Sequence, residues 1–184
     1  MRQSPIHSAA RRIARTLAEM EIPFAIAGAL AANAHGHVRT TEDVHILLQP
    51  QGLHDFKQAW PGRGWIEKFA GSIGFRDTTD NVNIDVFLSG DYPGDGRPKP
   101  VVFPDPAEVA EPDDEGIPIL SLAVLIELKL ASGMTAPDRP RDLDDVIQLI
   151  RVNQLARNYG DDLNPYVQPK YDELWVASQH QDEY

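Results

Sequence analysis

Apolar residues recur every three or four positions near the start of the chain and again in its second half. Between residues 4 and 20, Ile6, Ile13 and Leu17 share one helical face and arginines fill the other, which predicts an amphipathic helix. Ser121 precedes an apolar run, which predicts a helix over residues 122–132 that stops at Gly133. A third apolar stripe predicts a helix over residues 142–154.

Shorter apolar runs between these helices predict strands. Residues 22–27 form a buried run that ends at Gly28, and the Ala-rich residues 29–35 predict a short helix. Residues 43–49, 64–69, 72–78 and 82–88 are further strand candidates, and residues 51–60 predict a helix. Because side chains alternate along a strand, Asp43 and His45 share one face, and Asp85 lies opposite the apolar face of its own strand. This alternation of elements predicts an α/β (α+β) fold.

The length of 184 residues fits a single core with a tail. We expect a domain over residues 1–154 and a partly helical C-terminal tail, residues 155–184, packed on it. Six acidic residues and no basic ones fall between positions 105 and 115, together with prolines at 106 and 112. That composition predicts a solvated connector.

The charge balance narrows the choice of partners. Lys and Arg number 17 against 28 Asp and Glu, a formal charge of −11, which disfavours nucleic acid and would suit a basic protein partner such as a toxin. The absence of cysteine excludes disulfides and thiol catalysis. No apolar stretch approaches the roughly 20 residues of a membrane span, so we expect a cytoplasmic protein without a membrane partner.

The stretch from Phe24 to Leu48, FAIAGALAANAHGHVRTTEDVHILL, carries the candidate chemistry. Gly28 and Ala29 open a helix, where free backbone N–H groups can bind an anion. Asp43 enters the next strand, and Asp85 stands in the middle of a later one, where an unpaired carboxylate is costly. Two strand carboxylates with a glycine turn suggest a divalent metal and a nucleoside triphosphate.

Several motifs follow one another in a recognisable order. Gly28-Ala29 precedes Arg39-Thr40-Thr41-Glu42-Asp43-Val44-His45, and Asp85, Lys129, Asp142 and Asp145 follow. This set, over residues 20–150, resembles the nucleotidyltransferase superfamily, in particular the small bacterial branch of minimal nucleotidyltransferases and related toxin–antitoxin and abortive-infection enzymes. The resemblance implies a nucleotidyltransferase-like mixed β-sheet flanked by helices.

The resemblance also implies roles. It implies metal-dependent transfer of a nucleoside monophosphate from a nucleoside triphosphate to a hydroxyl acceptor, with Mg²⁺ or Mn²⁺ as cofactor. Asp43, His45 and Asp85 would be the catalytic and metal-binding residues, with Asp85 as a candidate base. The nucleotide-binding residues would be Gly28, Ala29, Arg39, Thr41, Lys129, Asp142 and Asp145.

One position departs from the family pattern. His45 stands where the pattern Arg-x-Thr-x-Asp-x-Asp has its second Asp. A neutral imidazole suits Mn²⁺ or Zn²⁺ better than Mg²⁺. The sequence leaves open a natural pseudoenzyme, an enzyme with a softer metal, and an engineered change that silences activity. The alternative function is a catalytically degenerate binding or regulatory module, for example in a toxin–antitoxin pair.

Structural interpretations also remain for the single residues. Gly28 alone is typical of a turn after a buried strand, and Asp43 could cap a turn. Lys129 could extend from an apolar helix, and Asp142 and Asp145 could be a solvated face near a helix N-terminus. The histidines at 35, 37, 45 and 54 are more simply a coincidence than a zinc site.

Overall fold

The structure, a computed structural model, describes residues 4–180, so positions 1–3 and 181–184 of the predicted domain and tail lie outside the described residues. The α-helices are α1 (Pro5–Glu19), α2 (Gly28–Ala34), α3 (Pro50–Ala59), α4 (Pro106–Val109), α5 (Leu122–Thr135), α6 (Pro140–Val152) and α7 (Gln168–Gln179). The strands are β1 (Phe24–Ala27), β2 (Asp43–Leu48), β3 (Trp65–Glu67), β4 (Phe75–Asp77), β5 (Val82–Leu88), β6 (Ala110–Pro112) and β7 (Pro118–Leu120), and a 3-10 helix spans Arg157–Asp162.

The strands form one mixed sheet in the order β3-β4-β5-β2-β1-β7-β6. β2 runs parallel to β5 and β1 runs parallel to β7, whereas the other neighbours are antiparallel. Helices cover both faces of the sheet. The predicted α/β fold with a mixed sheet flanked by helices is therefore confirmed.

Two apolar clusters separate the faces of the sheet. On one face, Val44 and Ile46 of β2 are fully buried in a cluster with Ile13 of α1 and Phe56 of α3. On the other face, Leu47 belongs to a cluster with residues of α5, α6 and α7. Since side chains alternate along β2, this second face is the one that carries Asp43 and His45.

The C-terminal residues cover part of the same face. Tyr171 of α7 is 1% exposed and lies in the cluster with Leu149 of α6. The hydroxyl of Tyr171 donates to the carbonyl of Ala156 at 3.1 Å. No helix within residues 4–180 combines the length and apolar character needed to cross a membrane.

The composition of the acidic segment predicted a solvated connector, but the segment contains regular secondary structure. It contains α4, whose first turn is capped by the Asp105 carboxylate accepting from the backbone N–H of Ala107 at 2.9 Å. It also contributes β6, one of the two edge strands of the sheet, where Pro112 is tolerated because one side of the strand has no neighbour. The Asp113 carboxylate accepts from the backbone N–H groups of Glu115 and Ile117 and closes the β6–β7 hairpin.

Gly133 does not end α5, which continues to Thr135. A Cβ at this position would lie 2.6 Å from Cδ2 of Leu143. Gly133 therefore allows α5 and α6 to approach closely, and the prediction of a helix stop at this residue was wrong.

Candidate functional site

The pairing of β2 with β5 brings three predicted residues together. In the parallel register His45 lies directly opposite Asp85, and Asp43 lies two residues before His45 on the same face. Nδ1 of His45 is 3.5 Å from Oδ1 of Asp43, and Nε2 is 3.7 Å from Oδ2 of Asp85. One donor atom from each residue lies within 4.8 Å of the other two. The two carboxylates are thus close enough to share one cation.

The ring of His45 is held by its neighbours. Gly28, at φ +61°, lies next to the ring, and a Cβ there would be 2.9 Å from Nδ1 of His45. The imidazole also stacks on Phe87 at 5.2 Å, and Phe87 stacks on Phe103 at 4.6 Å. Gly28 therefore makes room for the imidazole, a role that the sequence did not predict.

The surroundings of His45 favour its neutral form. Burial lowers the pKa of the imidazole most, the Asp43 and Asp85 carboxylates oppose this, and Lys129 and Arg139 add to the lowering. The result is a pKa below the ordinary value of 6.5. At neutral pH a ring nitrogen therefore keeps its lone pair and can bind a metal ion.

An open cleft of about 740 Å³ lies over this cluster. Asp43 and His45 contribute to its floor, and Gly28, Ala29, Arg39, Thr41, Lys129 and Asp142 line it. Thr41 donates a hydrogen bond to Oδ1 of Asp43 at 2.9 Å, which orients that carboxylate. Eight of the ten sequence-predicted site residues thus contact one space, while Asp85 stands beside His45 and Asp145 lies behind the wall.

Asp145 is the centre of a buried ionic network. Its Oδ2 accepts from Lys129 Nζ at 2.6 Å and from Arg39 Nη2 at 3.1 Å, and His37 Nε2 is 3.0 Å from Oδ1. Burial raises the pKa of the Asp145 carboxyl, but Lys129, Arg39 and His37 together outweigh it and hold the pKa below its ordinary value. Asp145 therefore fixes cationic side chains from the α2–β2 loop and α5.

Asp142 belongs to the same network. Its Oδ1 accepts from Lys129 Nζ at 3.0 Å, and its Oδ2 accepts from the Ser132 hydroxyl at 2.6 Å. Lys129 lines the cleft, and its ammonium is held by two carboxylates at the start of α6. The structure places Asp142 and Asp145 beside Lys129 rather than next to Asp43.

Two contacts in this region escaped the sequence analysis. Lys68 pairs with Oδ1 of Asp85, and His37 pairs with Asp145. His35, the other histidine of that loop, instead contacts the carbonyl of Leu120 at 2.7 Å. Lys68 lies inside the strand predicted over residues 64–69 and directly after the observed β3, and nothing in the sequence indicated which acid it would reach.

Comparison with known proteins bears on the fold. No protein-family model matches the chain, and no curated protein matches it in sequence. The crystal structure of ANT(2″)-Ia in complex with adenylyl-2″-tobramycin matches 94% of this chain and 97% of its own, with a TM-score of 0.54 and 12% identity. The chain has a nucleotidyltransferase-like fold.

A second structure of the same protein, a solution structure described as an antibiotic-resistance factor with substrate-regulated conformation dynamics, is also similar. It covers 94% of this chain and 83% of its own, with a TM-score of 0.40 and 15% identity. The fold predicted from the motif order is thus confirmed through the crystal structure.

Proposed function

We propose that the chain catalyses metal-dependent transfer of a nucleoside monophosphate from a nucleoside triphosphate to a hydroxyl acceptor. The observation that carries the proposal is the convergence of Asp43, His45 and Asp85 within 4.8 Å, with Asp43 and His45 lining the cleft. The fold supports it, since ANT(2″)-Ia, which shares this fold, was crystallised with an adenylylated compound. The motif order further suggests the small bacterial branch of the superfamily.

The donor set fits a divalent cation. Two carboxylate oxygens and one imidazole nitrogen converge, and the nitrogen favours Mn²⁺ over Mg²⁺. A bound ion would supply charge stabilisation at the transferred phosphate. Asp43, His45 and Asp85 would hold it.

The side chains around the cleft have separate tasks in this reaction. Thr41 keeps Asp43 oriented through its hydrogen bond, and the ammonium of Lys129 contacts the phosphates from the cleft wall. The acceptor hydroxyl oxygen forms a bond to the α-phosphorus while the bond from that phosphorus to the α–β bridging oxygen breaks. Asp85 accepts the hydroxyl proton, and pyrophosphate leaves.

His45 favours a second candidate function. It replaces a carboxylate of the family pattern with a neutral ring, so the site has two negative side chains instead of three. A module that binds a nucleotide without turnover, such as a component of a toxin–antitoxin pair, would need no more than these two negative side chains. The acidic composition would then suit a basic partner protein.

The test follows the fate of an α-labelled nucleoside triphosphate. We expect pyrophosphate release and label transfer to protein, RNA or small molecules with Mn²⁺, an increase with Mg²⁺ in His45→Asp, and loss in Asp43→Asn. Asp172→Asn is the matched control, because Asp172 pairs with Arg157 on an exposed surface. If the unmodified protein and His45→Asp both bind the nucleotide but neither turns it over with Mn²⁺ or Mg²⁺, the result would favour the binding module. Absence of nucleotide binding would refute both functions.

A further inference from the structure

Lys68 is a positive charge built into the candidate metal site. Its ammonium pairs with Oδ1 of Asp85, while Oδ2 of the same carboxylate faces Nε2 of His45 at 3.7 Å. Lys68 directly follows β3, and β4 lies between β3 and β5 in the sheet. The side chain must therefore cross a whole strand to reach Asp85.

The sheet provides the path for this crossing. Continuing the β3–β4 and β4–β5 registers by one residue places Lys68, Gly74 and Asp85 in one line across three strands, with His45 next in that line. A Cβ at Gly74 would lie 3.4 Å from both Cε of Lys68 and Oδ1 of Asp85, and 3.0 Å from the carbonyl oxygen of Ile84. Gly74 thus leaves the space through which Lys68 reaches the carboxylate.

The charges of the cluster then differ from those of a site for two metal ions. Two divalent ions about 3.5–4 Å apart need several carboxylates to offset their repulsion. Here Asp43 and Asp85 supply two negative charges, the imidazole of His45 supplies none, and Lys68 adds one positive charge. The net charge of one negative unit is suited to a single divalent ion.

We propose that the ammonium of Lys68 takes the place of a second metal ion, so that the centre binds one divalent cation per chain. The inference rests on the proposed function, since it assumes that Asp43, His45 and Asp85 hold a metal. The ion shares Asp85 with Lys68. Lys68 therefore determines how many ions bind and how tightly they bind.

The test counts Mn²⁺ ions bound to the full chain, using the paramagnetic resonance signal of free Mn²⁺ during a titration. We expect one ion for the unmodified protein and one for His45→Asp. Removal of the charge in Lys68→Met should tighten binding by about tenfold, since a neighbouring like charge is lost from a partly exposed site. The double variant, His45→Asp with Lys68→Met, should bind two ions.

The control is Lys170→Met, which removes the same charge from the α7 pair with Glu173. Lys68→Gln repeats the test with a polar side chain in case Lys68→Met does not fold, as checked by circular dichroism. Two ions in the unmodified protein, or equal affinities in Lys68→Met and Lys170→Met, would overturn the inference and leave the proposed function intact. If the unmodified protein binds no Mn²⁺, or if Asp43→Asn leaves its Mn²⁺ binding unchanged, both this inference and the proposed function are overturned.

Discussion

Replacing Asp145 with Asn removes the negative charge that holds Lys129, Arg39 and His37 together. Asp145 is 2% exposed and its partner Lys129 is 5% exposed, so water cannot solvate the ammonium of Lys129 once the carboxylate charge is removed. Breaking a buried ion pair on one side typically costs about 3–5 kcal/mol of stability. Lys129 keeps Asp142 at 3.0 Å, so we expect a loss of about 2–3 kcal/mol in the free energy of unfolding.

Urea unfolding at pH 7 measures this loss, and the midpoint of thermal unfolding should fall by roughly 5–10 °C for a chain of this size. Asp172→Asn is the control, because it makes the same chemical change in an exposed pair and should alter stability little. A value for Asp145→Asn as small as that of the control would refute the reasoning.

The difference in the free energy of unfolding between the unmodified protein and Asp145→Asn should also depend on pH in a defined direction. Burial opposes ionisation of Asp145, but Lys129, Arg39 and His37 hold its pKa in the folded protein below the ordinary value of 3.8. A lowered folded pKa means that the stabilisation is complete above the unfolded value and is lost as the pH falls through the folded value. The gap between the unmodified protein and Asp145→Asn should therefore be constant from pH 7 to pH 5 and shrink below about pH 4.

Two further changes test the packing around His45 and beneath α7. Gly28→Ala adds strain of about 1–2 kcal/mol at positive φ, and its Cβ would lie 2.9 Å from Nδ1 of His45. It should weaken Mn²⁺ binding, whereas Gly116→Ala, also at positive φ but in open space, should only destabilise; equal Mn²⁺ affinities would contradict the proposed contact. Burial raises the pKa of Tyr171 to about 12, so the neutral phenol stabilises the fold at neutral pH and this stabilisation is lost as the pH rises from about 10 to 12. The stability advantage over Tyr171→Phe should therefore fall by about 1 kcal/mol between pH 9 and pH 11 in urea unfolding, and a pH-independent difference would exclude this explanation.

Local patterns predicted the elements near the site well. The alternation of side chains along residues 43–48 and 82–88 placed Asp43 and His45 on one face and Asp85 opposite the apolar face of β5, as observed. The same approach failed where a residue type has more than one use. Glycine commonly ends a helix, but Gly133 instead permits close contact with Leu143. In the acidic segment, Asp105 caps a helix and Asp113 closes a hairpin.

The network around Asp145 illustrates a different limit. His37 and Lys129 are more than ninety positions apart in the sequence. Their meeting at Asp145 depends on how α5 and α6 pack against the α2–β2 loop. Helical periodicity shows which residues of α6 face inward, but it contains no information about the partner of an inward-facing carboxylate. A buried acid needs a cation, and only the packing of the helices selects which one.

The amino-acid sequence by itself determined the order of helices and strands and the face on which each acidic side chain emerges, because both follow from interactions between residues a few positions apart. The tertiary structure decided that β5 pairs with β2 in the register that sets Asp85 opposite His45, and that Lys68 reaches across Gly74 to the same carboxylate. These contacts join strands that are distant along the chain. Their geometry depends on which strands become neighbours, and the burial of the apolar faces as a whole selects that arrangement.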